Sequence, residues 1–352
     1  MSYLHTMIPS RIAFTVLLFL SAGCLEYETR TTVHPDGSFT RTITVTGDSS
    51  SISSWDFKIP ADSTWSIIEQ FKVDDKKWTV KAEREFPSSQ AWTIWKDSLD
   101  RRVLESSVTV DRRFRFFTTT YTFTETIASY NPFRLIPVTD FISPSELDMF
   151  LRFEVLKESN PSRGDSLALD DAGDRFEEWE IRTRLESFFR AIVDHLDRSA
   201  GLEQSRLDEL KEALVQSFME EGKGEDYSFK RFRDWGRTTK QPEIRAAIEA
   251  ASEDLESLRR DIEYIKAVSG DSYESRIDMP GEITTTNGQR EGLNGAAWND
   301  YIAYAYVSDF TMSAESTIVN IWAIVLTIGI IIGIPILMWV AKKTREKRSV
   351  VS

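Results

Sequence analysis

The chain has 352 residues, with 43 Lys and Arg against 56 Asp and Glu, a formal net charge of −13, one cysteine and three histidines. An acid excess of this size argues against nucleic acid as a partner and against peripheral docking on anionic lipid. A lone cysteine excludes an intrachain disulfide, so few histidines exclude a zinc cluster, and no Walker loop, dinucleotide fingerprint or calcium loop occurs, so no cofactor is expected.

Residues 1–23 have the order of a secretory signal: the basic Arg11, the apolar run Ile12 to Leu20, then the small residues Ser21, Ala22 and Gly23. The apolar core is too short to span a bilayer, and translation from Met7 would give a more compact signal than translation from Met1. Leu20-Ser21-Ala22-Gly23-Cys24 resembles the lipobox of bacterial lipoproteins. That resemblance implies that Cys24 receives a diacylglyceryl group, is acylated like other palmitate-carrying lipoproteins, and becomes the amino terminus after cleavage by signal peptidase II.

Behind Cys24 the pattern is β. Leu25 to Val33 and Phe39 to Thr46 flank His34-Pro35-Asp36-Gly37-Ser38, a strong turn signal, and predict a hairpin with Phe39, Ile43 and Val45 on one face and Thr40, Thr42 and Thr44 on the other. Further strands are predicted at Lys77 to Phe86, Arg102 to Val110 and Phe114 to Ile127, with a short helix over Ser88 to Leu99. Trp55, Trp65, Trp78, Trp92 and Trp95 cluster in this region. Large aromatics of this kind fill sheet cores more often than they wall a ligand groove.

The period then becomes helical. Ser143-Pro144-Ser145-Glu146 opens a helix, Ser159 to Gly173 reads as a polar loop, and stripes follow at Leu185, Phe188, Phe189, Ile192 and Leu196 and at Leu207, Leu210, Leu214 and Phe218. A long helix is predicted from Pro242 to about Val268, with a heptad seam through Ile244, Ile248, Leu255, Leu258, Ile262 and Ile265. The seam calls for a partner. Short connections favour the preceding helices of the same chain, and the alternative is an envelope protein or a second copy of this one. Gly164-Asp165-Ser166-Leu167 matches the nucleophile block of GDSL-type hydrolases, but the preceding strand and the later Asp-x-x-His of that family are absent. No catalytic residue is nominated.

After Gly270 the β character returns, through Glu274 to Asp278, Glu282 to Thr286, an Asn287-Gly288 turn, Trp298 and an alternating run from Tyr301 to Met312. The expected fold is therefore α+β: an antiparallel sheet domain formed by N- and C-terminal strands (24–140 and 270–316) with an inserted helical bundle or hairpin (141–269). Pairing of first and last strands is expected to bring both ends of this portion to one membrane surface. A lipobox, a Pro-Asp-Gly hairpin, Pro280-Gly281-x-Ile283, Asn287-Gly288 and Trp298 ahead of an apolar run and a basic tail together resemble LppM-type bacterial lipoproteins. The resemblance implies a β-rich exported domain held by a terminal span, and it says nothing of activity.

Ile318 to Ala341 has no charged residue over 24 positions. As a helix it would measure about 36 Å, enough to cross a hydrocarbon core of roughly 30 Å. The transmembrane helix is thus placed at 317–341. Trp322 and Trp339 stand where indoles anchor a span, and the tail 342–352, with Lys342, Lys343 and Arg345, is assigned to the cytoplasm by the positive-inside bias. These features predict an inner-membrane protein with its bulk on the periplasmic or extracellular side and the lipid bilayer as its first partner. The expected role is non-enzymatic binding or structure, tethered at both ends to the outer face of the cytoplasmic membrane. The alternative is a hydrolase acting on envelope glycan or lipid through a pair of carboxylates in a Trp-lined cleft.

Overall fold

The structure is a computed structural model that describes residues 25–47, 65–72, 77–87, 90–96, 103–152, 163–196, 203–220 and 226–349. The signal at 1–23, Cys24 and Trp55 lie outside the described residues.

The α+β expectation holds. Among the described residues twelve strands form two sheets, ordered β10-β11-β8-β1-β2-β4-β3 and β5-β6-β7-β12-β9, where β1 is Leu25–Val33, β2 Phe39–Gly47, β3 Ser66–Lys72, β4 Lys77–Phe86, β5 Gln90–Lys96, β6 Val103–Phe114 and β7 Thr118–Ile127, and where β8 is Ser272–Asp278, β9 Glu282–Thr286, β10 Gln289–Glu291, β11 Gly295–Asn299 and β12 Phe310–Val319. Strands from both ends of the chain share each sheet: β1 pairs with β8, and β7 with β12. The β1–β8 pair is parallel, a departure from an all-antiparallel arrangement. Such a pair needs a crossover, and here the helical insertion supplies it.

The first hairpin forms as its turn residues require. Gly37 takes φ +94°, which a residue with a Cβ rarely adopts, and Asp36 Oδ1 accepts from the Ser38 amide (3.0 Å) and hydroxyl (2.7 Å). Alternation then buries Phe39, Ile43 and Val45 and leaves Thr40, Thr42 and Thr44 partly exposed. The same inward face carries a charge, Arg41, which is fully buried with Glu125 of β7. Two parallel bonds join them, Nη2 to Oε1 at 2.7 Å and Nη1 to Oε2 at 2.9 Å, while Thr31 and the Ser106 hydroxyl complete the set. Phe123 lies 6.3 Å from Trp298 across the same interface, so the two sheets pack face to face around an ion pair.

Helices α1 (Pro144–Phe150), α2 (Arg163–Asp194), α3 (Gln204–Glu220), α4 (Phe229–Thr238), α5 (Pro242–Ala250) and α6 (Ser252–Ser269) make the insertion. A capping box between Ser143 and Glu146 starts α1. Arg175 of α2 bonds the same Glu146 carboxylate, and these bonds pull its pKa down to about 2. Phe188, Phe218, Tyr227 and Phe232 form the aromatic centre of the bundle, with Phe188 and Phe232 stacked at 4.7 Å. The bundle docks on the sheets through Trp179, Tyr130 and Tyr306, the last in α7 (Ile302–Val307), and Arg184 donates to the Tyr306 hydroxyl at 2.9 Å.

Several boundaries differ from the expectation. The helix expected over Ser88 to Leu99 is strand β5, paired with β6. The polar loop expected to Gly173 is already helix from Arg163, because Leu169, Ala172 and Phe176 bury one face of it. The single helix expected from Pro242 is broken at Ala251, whose ψ is 5°, and restarts with Glu253 and Asp254 in the first turn of α6, where acidic residues favour a helix start. The strand expected from Tyr301 begins as α7, initiated at Asp300 with φ 46°, before β12. Trp65 is buried against Phe86, as a core aromatic should be.

The largest difference concerns the two ends. β12 runs from Phe310 toward the apolar helix, and β1 runs the same way: its Val33 end leads to Pro35, whose carbonyl accepts from Tyr121 of β7 opposite Ser316, whereas Tyr27 sits with Tyr273 and Tyr301 at the level of Phe310. Leu25 therefore opens the domain at the end remote from the apolar helix, separated from it by the length of β12, on the order of 30 Å for ten residues. First and last strands lie in different sheets and do not bring the ends together.

Two predictions follow from the buried groups. Replacing Glu125 by Gln, which leaves the Arg41 charge without its counter-charge, should cost about 3–5 kcal/mol in denaturant melts of the detergent-solubilised chain, while the paired change Arg41→Met with Glu125→Leu should cost much less. At the remote end, Asp271 accepts from the Leu25 amide at 3.3 Å, and burial pushes its pKa up to about 6. A carboxyl raised in the folded state destabilises once ionised, so its contribution falls as pH rises from about 4 to about 6 and is constant above. Relative to the native chain, Asp271→Asn should gain on the order of 2 kcal/mol at pH 7 and nothing at pH 3.5.

Candidate functional site at the strand–helix junction

Among the described residues, α8 (Ile321–Ser349) is the one helix long and apolar enough to cross a membrane: Ile321–Val340 has a mean hydropathy of 2.6 and is 6% buried. Twenty residues give about 30 Å of helix, the thickness of a hydrocarbon core. Trp322 and Trp339 are exposed near its two ends, about 25 Å apart by helical rise. Lys342, Lys343 and Arg345 follow in its last turns. The apolar helix starts later than Ile318, because Ile318 and Val319 belong to β12. Ile318 packs on the core and its Cγ2 would lie 2.4 Å from a Cβ at Gly281, whose φ is +79°. Ile318 thus serves the domain.

Strand becomes helix at a single residue. Asn320, 8% exposed, donates its backbone N–H to the Phe117 carbonyl (2.8 Å) and its side-chain amide to the carbonyls of Arg115 (2.8 Å) and Phe116 (3.2 Å), and accepts from the Thr119 hydroxyl (3.2 Å). Its own carbonyl accepts from Ala323 at 2.9 Å, the first bond of α8. Three of the partners on the domain side, Arg115, Phe116 and Phe117, form the tight turn between β6 and β7, closed by reciprocal bonds between Arg115 and Thr118, and the fourth, Thr119, lies at the start of β7. The apolar helix is therefore tied to a hairpin tip as well as to its own strand.

That tip carries Asp111-Arg112-Arg113-Phe114-Arg115-Phe116-Phe117, every residue exposed. Phe114 stacks on Trp322 at 6.3 Å and 3°, Phe116 meets the same indole edge-on at 5.4 Å, and Phe117 packs on Phe116 at 5.0 Å. Sequence reasoning placed Phe114 at the start of a strand and missed the turn. The available signal was the adjacent pair Phe116-Phe117, which breaks period-two alternation.

The heptad seam is found elsewhere and is spent inside the chain. Ile244, Ile248, Leu255, Ile262 and Ile265 are buried and Leu258 half-buried. Gly236 of α4 lets Ile248 approach so closely that a Cβ there would lie 2.5 Å from Ile248 Cδ1. An exposed coiled-coil face for an outside partner is thus not what these residues form. Gly164 to Leu167 lie in the first turn of α2, where no nucleophile elbow exists.

A cleft of about 390 Å³ lies between the insertion and the segment before it, lined by Ile136, Phe141, Arg182, Glu186, Lys211, Glu212 and Val215. Its two carboxylates are ion-paired, Glu186 with Lys211 (3.2 Å) and Glu212 with Arg182 (2.9 Å), and hydrogen bonds from Arg182 and Gln216 hold Glu212 down at about 2. A carboxyl held ionised cannot serve as the general acid of a glycosidase, and no tryptophan lines this cleft. Among the described residues no group of three His, Cys, Asp or Glu is placed to hold a metal.

No protein-family model matches the chain, and no curated protein or solved structure is significantly similar to it.

The clamp yields a prediction. Asn320→Ala removes the side-chain donor shared by the Arg115 and Phe116 carbonyls and the acceptor of the Thr119 hydroxyl, a loss of about 1–3 kcal/mol local to the junction. Hydrogen exchange at the Thr118 amide should accelerate about tenfold or more, while exchange at Ile43 in the sheet interior stays unchanged.

Proposed function

We propose that this chain is a membrane-anchored bacterial envelope lipoprotein of non-enzymatic, binding or structural type. In this reading α8 spans the cytoplasmic membrane, the basic tail lies in the cytoplasm, and the two sheets with their helical insertion stand on the outer face. The observation that carries it is the junction: an apolar helix with only 6% of its residues buried, entered through a hydrogen-bonded clamp and followed by Lys342, Lys343 and Arg345. A soluble core helix of this composition would be covered by the rest of the chain. The partners are the bilayer and, for the binding role, an envelope protein or a second copy engaged by the exported portion. The cleft at Arg182 and Glu212 lends the hydrolase alternative no support, since its carboxylates are ion-paired and no tryptophan lines it.

The lipobox resemblance supports a second anchor at Cys24. Because Leu25 opens β1 at the end remote from α8, a lipid on the preceding residue would grip the opposite end of the domain. Two anchors about 30 Å apart along the strands would lay the domain along the membrane surface. Cys24→Ala should abolish labelling by radioactive palmitate and leave the precursor uncleaved, with the protein still in the membrane fraction because a span retains it without lipid. Persistent label would refute the lipid anchor, and release by alkaline carbonate would refute the span.

A further inference from the structure

We infer that the β6–β7 hairpin tip is a lipid-contact element: Phe114, Phe116 and Phe117 enter the headgroup boundary of the outer leaflet, and Arg112, Arg113 and Arg115 hold the phosphates of anionic phospholipids. The inference rests on the reading of α8 as a span and adds a second, non-helical contact with the same bilayer.

Depth is the first support. Trp322 is the second residue of α8, where an indole sits in the interface of a spanning helix. Phe114 and Phe116 both touch that indole, with ring centroids 6.3 and 5.4 Å away, so the tip shares its depth to within one ring diameter. The Asn320 clamp prevents the tip from swinging off, since the turn carbonyls of Arg115, Phe116 and Phe117 are bonded to the residue that starts the helix. The three phenylalanines are 44–53% exposed and lie against the exposed Trp322, and a cluster of exposed aromatics marks a contact surface.

Charge is the second support. The chain is acidic overall, yet the tip has three arginines against the single Asp111, which pairs with Arg113 at 2.9 Å. Arg112 and Arg115 form no ion pair among the described residues. Guanidinium groups bond phosphate oxygens in pairs, and long basic side chains beside an aromatic wedge keep their charges at headgroup level while the rings go deeper. The acid excess that disfavours docking of the whole domain on anionic lipid is thus reversed locally.

The test uses the full chain in a Cys24→Ser background, reconstituted in phosphatidylcholine vesicles with and without phosphatidylglycerol. An environment-sensitive fluorophore is placed at Phe116→Cys, at Ile331→Cys in the middle of α8, and at Glu249→Cys on the exposed side of α5. Lipids carrying a nitroxide high on the acyl chain should quench the Phe116 position by about twofold or more relative to Glu249, as for a group 5–10 Å into the boundary. Quenching at Ile331 by deep nitroxides with none at Phe116 would overturn the inference while leaving the span intact. A Phe116 probe shielded from iodide yet unquenched by lipid would overturn it in favour of a protein partner. No quenching at Ile331 would overturn the span reading, and the inference with it. Spin-labelled phosphatidylglycerol should associate with the intact chain roughly fivefold more than with the combined Arg112→Gln, Arg113→Gln, Arg115→Gln variant. The basic tail is common to both proteins, so equal association would remove the arginines from the proposal.

Discussion

The Arg41–Glu125 pair is the constraint on which the rest of the molecule depends. A charge pair with no solvent exposure on either side gains little over a well-packed apolar pair, but mispairing it costs several kcal/mol. It therefore acts as a registry pin between sheets that could otherwise slide on apolar faces of similar shape. The pin reaches the apolar helix α8 in four steps. Arg41 fixes β2 against β7; β7 fixes β12 through ten paired residues; β12 delivers Asn320 opposite the turn at Arg115 to Phe117; and Asn320 starts α8. A one-residue slip of β7 would invert its inward face and carry the turn away from Asn320.

Much of this was legible in the residues, where local chemistry decides the outcome. His34 to Ser38 needs no tertiary partner to turn, and Ser143 to Glu146 closes its own capping box. The heptad spacing reported correctly that Ile244, Ile248, Leu255, Ile262 and Ile265 share a covered side, yet spacing cannot name what covers them, and the break at Ala251 is invisible because alanine suits a helix interior and a buried corner equally. Arg41 was passed over inside the face of Phe39, Ile43 and Val45, since a single charge in an apolar stripe gives no hint of a partner 84 positions away. The hairpin tip was lost for a related reason. Arg112 to Phe117 mixes charge and aromatics in a way that fits neither a core nor an aqueous surface, and it becomes intelligible only beside Trp322.

The insertion also acquires a position that composition could not supply. It leaves after Ile127 and returns before Ser272, both at the end of the sheets remote from α8, and docks there on α7 through Trp179, Tyr130 and Tyr306. Burial of Tyr27, Tyr273 and Tyr301 at the same end raises their phenol pKa values well above the ordinary range, as desolvation does, so this layer stays neutral and apolar at physiological pH. Apolar helix, paired sheets and helical bundle thus follow one another along the strands, with the charge pin between the sheets.

The posture of the domain then turns on which of two forces is larger. An acidic domain beside anionic lipid is pushed away except at its basic tip, but at physiological salt this repulsion is screened beyond about 8 Å and is worth roughly 1 kcal/mol per charge at most near the surface. A diacyl chain contributes about 0.8 kcal/mol for each methylene it buries, which for two long chains exceeds the repulsion of the few charges that lie within that screening distance. Under the proposed lipidation of Cys24 the remote end is therefore drawn down to the bilayer against its charge. Under the proposed span and tip contact, a chain without the lipid would be held at the junction alone, by Asn320 and the Phe114 to Phe117 tip, with its acidic surface and the helical insertion turned toward solvent.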